Sequence, residues 1–368
     1  MEVVMTVDKS KQGKPWSKGQ WRILSFCFLF ALWLSPFLVT LATPAQAECL
    51  DINEHDHIPL YIRSHQCFEL QGGNVLDGQY VVQGKLFIKA GRQVKITPGS
   101  TITIYAGGLL ESRGQLDIPK QSQINLDDGG SLSIAGLLYL QSQAEINSRG
   151  TTSVKNQGRF LLDQDSRLNF TGTTSILNTG IMTLVKAQVL LAQQSKLENV
   201  GTIKAEAETT IKLQDQAVLF NKGKLALAGP SILDLSGNTR FTNKRQILPE
   251  GLIQASGHAI VENGAPLRAQ STSRLLMSNY SQLLNEHTLE IFGQASFNNN
   301  VRILNSGVFA VKKDAKVKTV QQAVMINTGT FRNEGGTFAV ESKANFINEN
   351  IISGRGTRIQ DHDRKRSH

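Results

Sequence analysis

One asparagine returns about every 22 residues through most of the chain. Asn156, Asn178, Asn199, Asn221, Asn243, Asn263, Asn285, Asn305, Asn327 and Asn348 form a series with steps of 22, 21, 22, 22, 20, 22, 20, 22 and 21. Glycine follows two residues later at Gly158, Gly180, Gly201, Gly223, Gly307 and Gly329, with Arg245, Ala265, His287 and Asn350 in the other four units. A repeat this short and regular restricts the fold to architectures in which each unit packs on its neighbours.

The apolar residues keep step with the asparagines. Two positions before them stand Val154, Ile176, Leu197, Leu219, Phe241, Val261, Leu283, Ile303, Met325 and Phe346. Four positions after them stand Phe160, Met182, Ile203, Leu225, Ile247, Leu267, Leu289, Phe309, Phe331 and Ile352. All twenty are apolar in a chain that is 40% hydrophobic, so these columns belong to an interior. The series continues backwards through Gly136 and Gly114, and "GKLFI" at Gly84 reads as an earlier member displaced by a longer loop through Thr97-Pro98-Gly99. That makes thirteen rungs.

Within each unit the pattern alternates, as in "GRFLLDQDSRLNF" and "TIKAEAETTIKL", which is the period of a strand. A 3.6-residue stripe long enough for a helix is missing, and a propeller blade needs about twice this period. The expected fold is all-β: a parallel β-helix of about 12–13 coils, each of ~22 residues, stacked at about 4.8 Å into a rod on the order of 60 Å long. An asparagine at a coil corner accepts a turn backbone at low cost, and its amide can bond to those of the coils above and below. The alternative is a set of solvent-facing turn asparagines without a ladder. The nearby glycine would relieve crowding where the chain bends.

On this repeat pattern residues ~80–354 resemble the secreted right-handed parallel β-helix superfamily of pectate-lyase-like enzymes and filamentous-haemagglutinin-like surface proteins. The resemblance implies a right-handed coil and an exported protein. The Asn-Pro-Asn sequences typical of two-partner secretion domains do not occur in the chain.

The N-terminus reads as an export signal. Lys9, Lys11, Lys14, Lys18 and Arg22 precede an apolar run from Ile23 to Ala42, and Ala45-Gln46-Ala47 supplies a small-x-small cleavage pattern. Cleavage would leave Glu48 first; retention of the run as a membrane anchor is the alternative. The expected organisation is a signal over 1–47, an N-terminal cap over 48–79, the β-helix over 80–354 and a basic flexible tail over 355–368. The cap would protect an open solenoid end. Beyond the signal the only cysteines are Cys49 and Cys67, which in an exported protein read as one disulfide or else as two unpaired buried thiols.

Without the signal, 34 Lys+Arg stand against 28 Asp+Glu. The excess has no basic block or basic–aromatic stripe, so nucleic acid is not the expected partner. Membrane insertion after cleavage is not expected either. Oligomeric state is not legible.

Glycoside hydrolysis needs paired carboxylates. Asp127, Asp128, Asp163, Asp165, Asp215 and Asp234 are the candidates, and no two of them stand 20–22 residues apart. Asp215 and Asp234 come closest, at 19. Asp163 and Asp165 share a strand face by parity and could hold Ca²⁺, a solvated turn being the other reading. His55, His57, His65 and Cys67 offer metal-ligand residue types, but in no familiar zinc spacing and with Cys49 as a disulfide partner for Cys67, so a polar cap surface is the expected reading. His258 and His287 read as turn residues. No catalytic residue, metal or cofactor is assigned.

The expected function is therefore an exported non-enzymatic module at the cell surface, in the medium or in the periplasm, adhesin-like and binding glycan or another envelope component. A polysaccharide lyase or glycoside hydrolase and a purely structural envelope protein are the alternatives.

Overall fold

The computed structural model describes residues 49–354 and 360–361. These form a parallel β-solenoid of about 14 turns with ~22 residues per turn. The expected signal and most of the tail lie outside the described residues. Among the described residues no helix is long and apolar enough to cross a membrane.

Each turn runs across three faces. In one turn, Ser131–Ile134 lies on face 1, Leu137–Leu140 on face 2 and Glu145–Ser148 on face 3, and the chain returns to face 1 at Ser153–Asn156. Faces 1 and 3 are each single parallel sheets of 15 strands. Face 2 is divided into sheets of eight and five strands. The division falls in the turn after Asn243, where only the bridge Ile247–Leu267 remains. That turn is two residues short, and Pro249 has no N–H to give a ladder.

The alternating pattern sorts side chains as the strand period requires. Positions two and four of each four-residue strand point inward. The inner columns fuse into one hydrophobic core from Ile52 to Val340. Of the twenty apolar positions flanking the asparagines, eighteen are buried. The other two, Phe346 and Ile352, belong to the last described turn. Near that end Phe297, Phe309, Phe331, Phe338 and Phe346 pack ring to ring, with centroids 4.7 to 6.5 Å apart.

The asparagines end the face 1 strands, nine of them buried and pointing inward and Asn348, in the last described turn, exposed. Asn156 Nδ2 donates to Asn178 Oδ1 at 2.6 Å, and Asn178 Nδ2 to Asn199 Oδ1 at 2.7 Å. The chain of amides continues in one direction to Asn348, nine links in all. Several spare Nδ2 protons reach a backbone carbonyl of the next turn, as Asn178 does to Thr202 O at 3.1 Å. Each asparagine also shapes the bend that follows: Asn156 O accepts both Thr179 N and Gly180 N, at 2.8 and 3.0 Å.

The glycine in that bend is needed for axial approach rather than for a positive φ. A Cβ on Gly180 would stand 2.1 Å from Gly158 O, and one on Gly158 the same distance from Gly136 O. The corner between faces 3 and 1 does use left-handed backbone, at φ +72° for Gly172, +57° for Gln193 and +59° for Asp215. There the side chains bond along the axis. Gly172 N donates to Gln193 Oε1 at 2.7 Å and Gln193 N to Asp215 Oδ2 at 3.0 Å.

Two details differ from the sequence-based expectation. The stack begins at Leu50–Ile52, which pairs in parallel with Phe68–Leu70, so the segment expected as a cap is itself coiled and adds to the turn count. Gly84 is not in the Gly114 column. Its strand, Lys85–Ile88, pairs with Leu109–Ser112 on face 1, whereas Gln115–Ile118 lies on face 2 beside Gln93–Lys95. The turn from Cys67 to Lys85 takes 18 residues and the next, to Leu109, takes 24, so the 22-residue count does not carry back to Gly84.

Candidate functional site

An open cleft of about 550 Å³ lies on face 3 at its corner with face 1. Its floor is a column of outward side chains held in register by the strands, Thr103, Asn125, Asn147 and Asn169. Parity puts them outside, since their neighbours Ile124, Ile146 and Leu168 fill the core. The asparagines bond to one another: Asn169 Nδ2 donates to Asn147 Oδ1 at 2.8 Å, and Asn147 Nδ2 to Asn125 Oδ1 at 3.2 Å.

The cleft wall comes from the first residues after each strand. Arg149 forks onto Asp127 of the preceding turn, Nε to Oδ1 at 2.6 Å and a terminal nitrogen to Oδ2 at 2.9 Å. That bond raises the Arg149 pKa above its ordinary value, so the guanidinium stays charged. Thr171 Oγ1 donates to Ser148 O at 2.7 Å and completes the wall. The result is a strip of amides, hydroxyls and one ion pair repeating at the strand spacing of about 4.8 Å. It can offer hydrogen bonds to a polar chain.

A second, smaller cleft of about 310 Å³ continues along the same edge. Asp234, Gln254 and Leu276 occupy the floor column there, and Ser256, Ser278 and Asn298 the corner. Beside it on the corner turns, His258 and Tyr280 stack at 5.3 Å with their rings 17° apart, and Tyr280 is 56% exposed. Both are turn residues, as the sequence suggested for His258.

The acidic candidates are spread over different features. Asp127 and Asp128 share a corner turn, the first paired with Arg149 and the second accepting Thr151 N at 2.9 Å. Asp163 and Asp165 do not share a strand face. They lie in the turn between faces 2 and 3, where Asp163 accepts Tyr139 Oη at 3.2 Å and Asp165 has φ +60°. Burial first, then Asp163, raises the Tyr139 pKa. Asp215 is held at the corner by Gln193 N, while Asp234 stands on a face 3 strand.

His55 and His57 line a polar cleft near the first turn together with Glu54, Asp56, Asp77 and Tyr80. His65 lies in the turn before Cys67. Cys67 is bonded to Cys49, which removes its sulfur from any ligand set. Among the described residues no three His, Cys, Asp or Glu side chains gather as a metal site.

Following the inner asparagines hid the outer ones. Asn125, Asn147 and Asn169 are also 22 residues apart, in "QINL", "EINS" and "RLNF", and one residue's difference in strand position separates a buried ladder from a surface one.

No family model matches the chain, and no curated protein matches it. Among solved structures it is similar to the crystal structure of a TibC-catalysed, hyper-glycosylated fragment of TibA, residues 55–350. The identity is 13%, the match covers 82% of this chain and 97% of that one, and the TM-score is 0.27, so the two backbones superpose poorly.

Proposed function

We propose that this chain is an exported, non-enzymatic β-solenoid that binds glycan along face 3, as an adhesin-like module of the cell surface or surroundings. The observation that carries this reading is the polar cleft over Asn125, Asn147 and Asn169, whose donors and acceptors repeat in register with the coils. A regular ladder of exposed amides and hydroxyls suits a polymer whose own hydroxyls repeat. The Cys49–Cys67 disulfide supports export, because such bonds persist in oxidising compartments.

Binding of the purified protein to an array of bacterial and host glycans tests the reading. Asn147→Ala with Arg149→Ala should abolish any signal while leaving the fold intact, since both side chains point outward. An array without a single ligand would sink it and leave a purely structural role. Release of reducing ends or unsaturated sugars from the same polymers would instead establish cleavage.

A further inference from the structure

We infer that the face 3 ligand is an acidic linear polysaccharide lying parallel to the solenoid axis, an inference that rests on the glycan-binding reading. Both face 3 clefts lie over the same two columns, the third strand position and the first corner residue. From Thr103 to the strand before Asn298 that edge spans nine strand steps, roughly 43 Å at about 4.8 Å per step. A compact ligand would fill one cleft. A chain along the edge reaches both.

Charge selects among polymers. Five outward cations stand on the face 3 strands, Arg167, Lys212, Arg274, Lys316 and Lys318, against two carboxylates, Glu145 and Asp234. Face 1 also carries five outward cations, but five carboxylates stand among them. Among the described residues Lys212, Arg274 and Lys316 have no carboxylate within 4.0 Å. Arg167 to Lys212 is two strand steps, Lys212 to Arg274 three and Arg274 to Lys316 two, or roughly 10, 14 and 10 Å.

One step is close to the rise of a pyranose in an extended glycan, so carboxylates borne on the sugars meet these cations at whole-number intervals. Gln254 and Ser296 between the cations, and the asparagine column that runs from Arg167's strand towards the first cleft, supply hydrogen bonds for hydroxyls. The exposed ring of Tyr280 offers a flat apolar surface for a sugar's C–H face beside the second cleft.

Calorimetric titration with oligogalacturonates of two to twelve sugars, and with neutral cello-oligosaccharides of matched length, tests this. The acidic series should bind more tightly as it lengthens, with affinity falling as salt rises. Lys212→Gln, Arg274→Gln and Lys316→Gln together should weaken it on the order of tenfold. Lys85→Gln, Lys155→Gln and Arg302→Gln on face 1, an equal change in net charge, should leave it within about twofold. Neutral oligosaccharides binding as tightly, salt-independent binding, or equal loss in both triple variants would overturn the inference and leave glycan binding standing. Failure of every oligosaccharide on this panel, with another glycan captured on the array, overturns the acidic assignment alone. If the array is blank as well, both readings fall.

Discussion

Asn156 Oδ1 faces Ile134 one turn earlier and is buried without a hydrogen-bond partner, so the amide ladder starts on an orphaned acceptor. Every later asparagine from Asn178 to Asn348 receives the Nδ2 of its predecessor. A buried acceptor left unpaired costs about 1–3 kcal/mol. Ile134→Asn would supply the missing donor, and the Ser112 hydroxyl, next in the column, can turn from Gly114 O, which it reaches at 3.1 Å, to the new Oδ1. The lost aliphatic burial of about 2–3 kcal/mol is thereby largely offset. Ile146→Asn, at an equally buried site between Ile124 and Leu168, gains no such partner and should cost more than about 4 kcal/mol. Thermal melts should rank Ile134→Asn far above Ile146→Asn; equal losses would mean the orphan carries no weight.

Inside the ladder the amide must both accept and donate. Asn221 accepts from Asn199 at 2.7 Å and donates to Asn243 at 3.1 Å. Asn221→Asp keeps the acceptor, but an ionised carboxylate cannot donate, and its burial raises its folded pKa above the unfolded value near 3.9. The folded state then binds more protons than the unfolded state, so stability falls as pH rises, by at most about 1.4 kcal/mol per unit. The Tm deficit relative to the parent should be large at pH 8 and shrink towards pH 4. A deficit independent of pH would show that the site is wet.

At Gly180 the constraint is steric and comes from the adjacent turn. A Cβ there meets Gly158 O at 2.1 Å, a backbone atom pinned by its own hydrogen bonds. Gly180→Ala should therefore destabilise by about 2–4 kcal/mol although its φ is ordinary. Gln143→Gly, at φ +60° in the turn between faces 2 and 3, should be tolerated within about 1 kcal/mol. Denaturant midpoints of the two variants separate the mechanisms, and a neutral Gly180→Ala would refute the crowding argument.

Outside the core, Lys222 Nζ lies 2.9 Å from Glu198 Oε1 and holds that carboxyl below its usual range. A depressed folded pKa contributes stability that is complete above the unfolded value near 4.3 and is lost as pH falls through the folded one. For a pair this accessible the contribution is below about 1 kcal/mol. Lys222→Gln should lower Tm slightly at pH 7, and the difference should shrink as pH falls through the depressed Glu198 pKa and in 1 M salt.

The interior of this solenoid was readable because its requirements repeat at one period. Val154 and Phe160 must be apolar for the same reason as Ile303 and Phe309, so ten turns vote on each column. The exterior has no such vote. Asn147 on the outer face and Asn156 in the core are nine residues apart and chemically identical, and only strand parity tells them apart. The early turns misled for a related reason. Without an asparagine, "GKLFI" and "GQLDI" look alike, and only the register of Lys85 with Leu109 puts them on different faces. Parity also misplaced Asp163 and Asp165, because a four-residue turn breaks the alternation on which parity depends.

The Cys49–Cys67 disulfide joins the first two face 1 strands, whose residues Leu50 and Phe68 pair directly. Its 18-residue loop corresponds to about 3 kcal/mol of chain-entropy stabilisation. In a solenoid each turn contacts only its neighbours, so that stabilisation is local. Reduction, or Cys49→Ser with Cys67→Ser, should speed amide exchange of Leu50–Ile52 and of Tyr61–Ile62. Exchange in the turns from Leu132 onward should be unchanged. Mass-resolved hydrogen exchange with and without reductant reads this directly. An increase spread evenly along the chain would show that the first turn nucleates the whole stack rather than only finishing it.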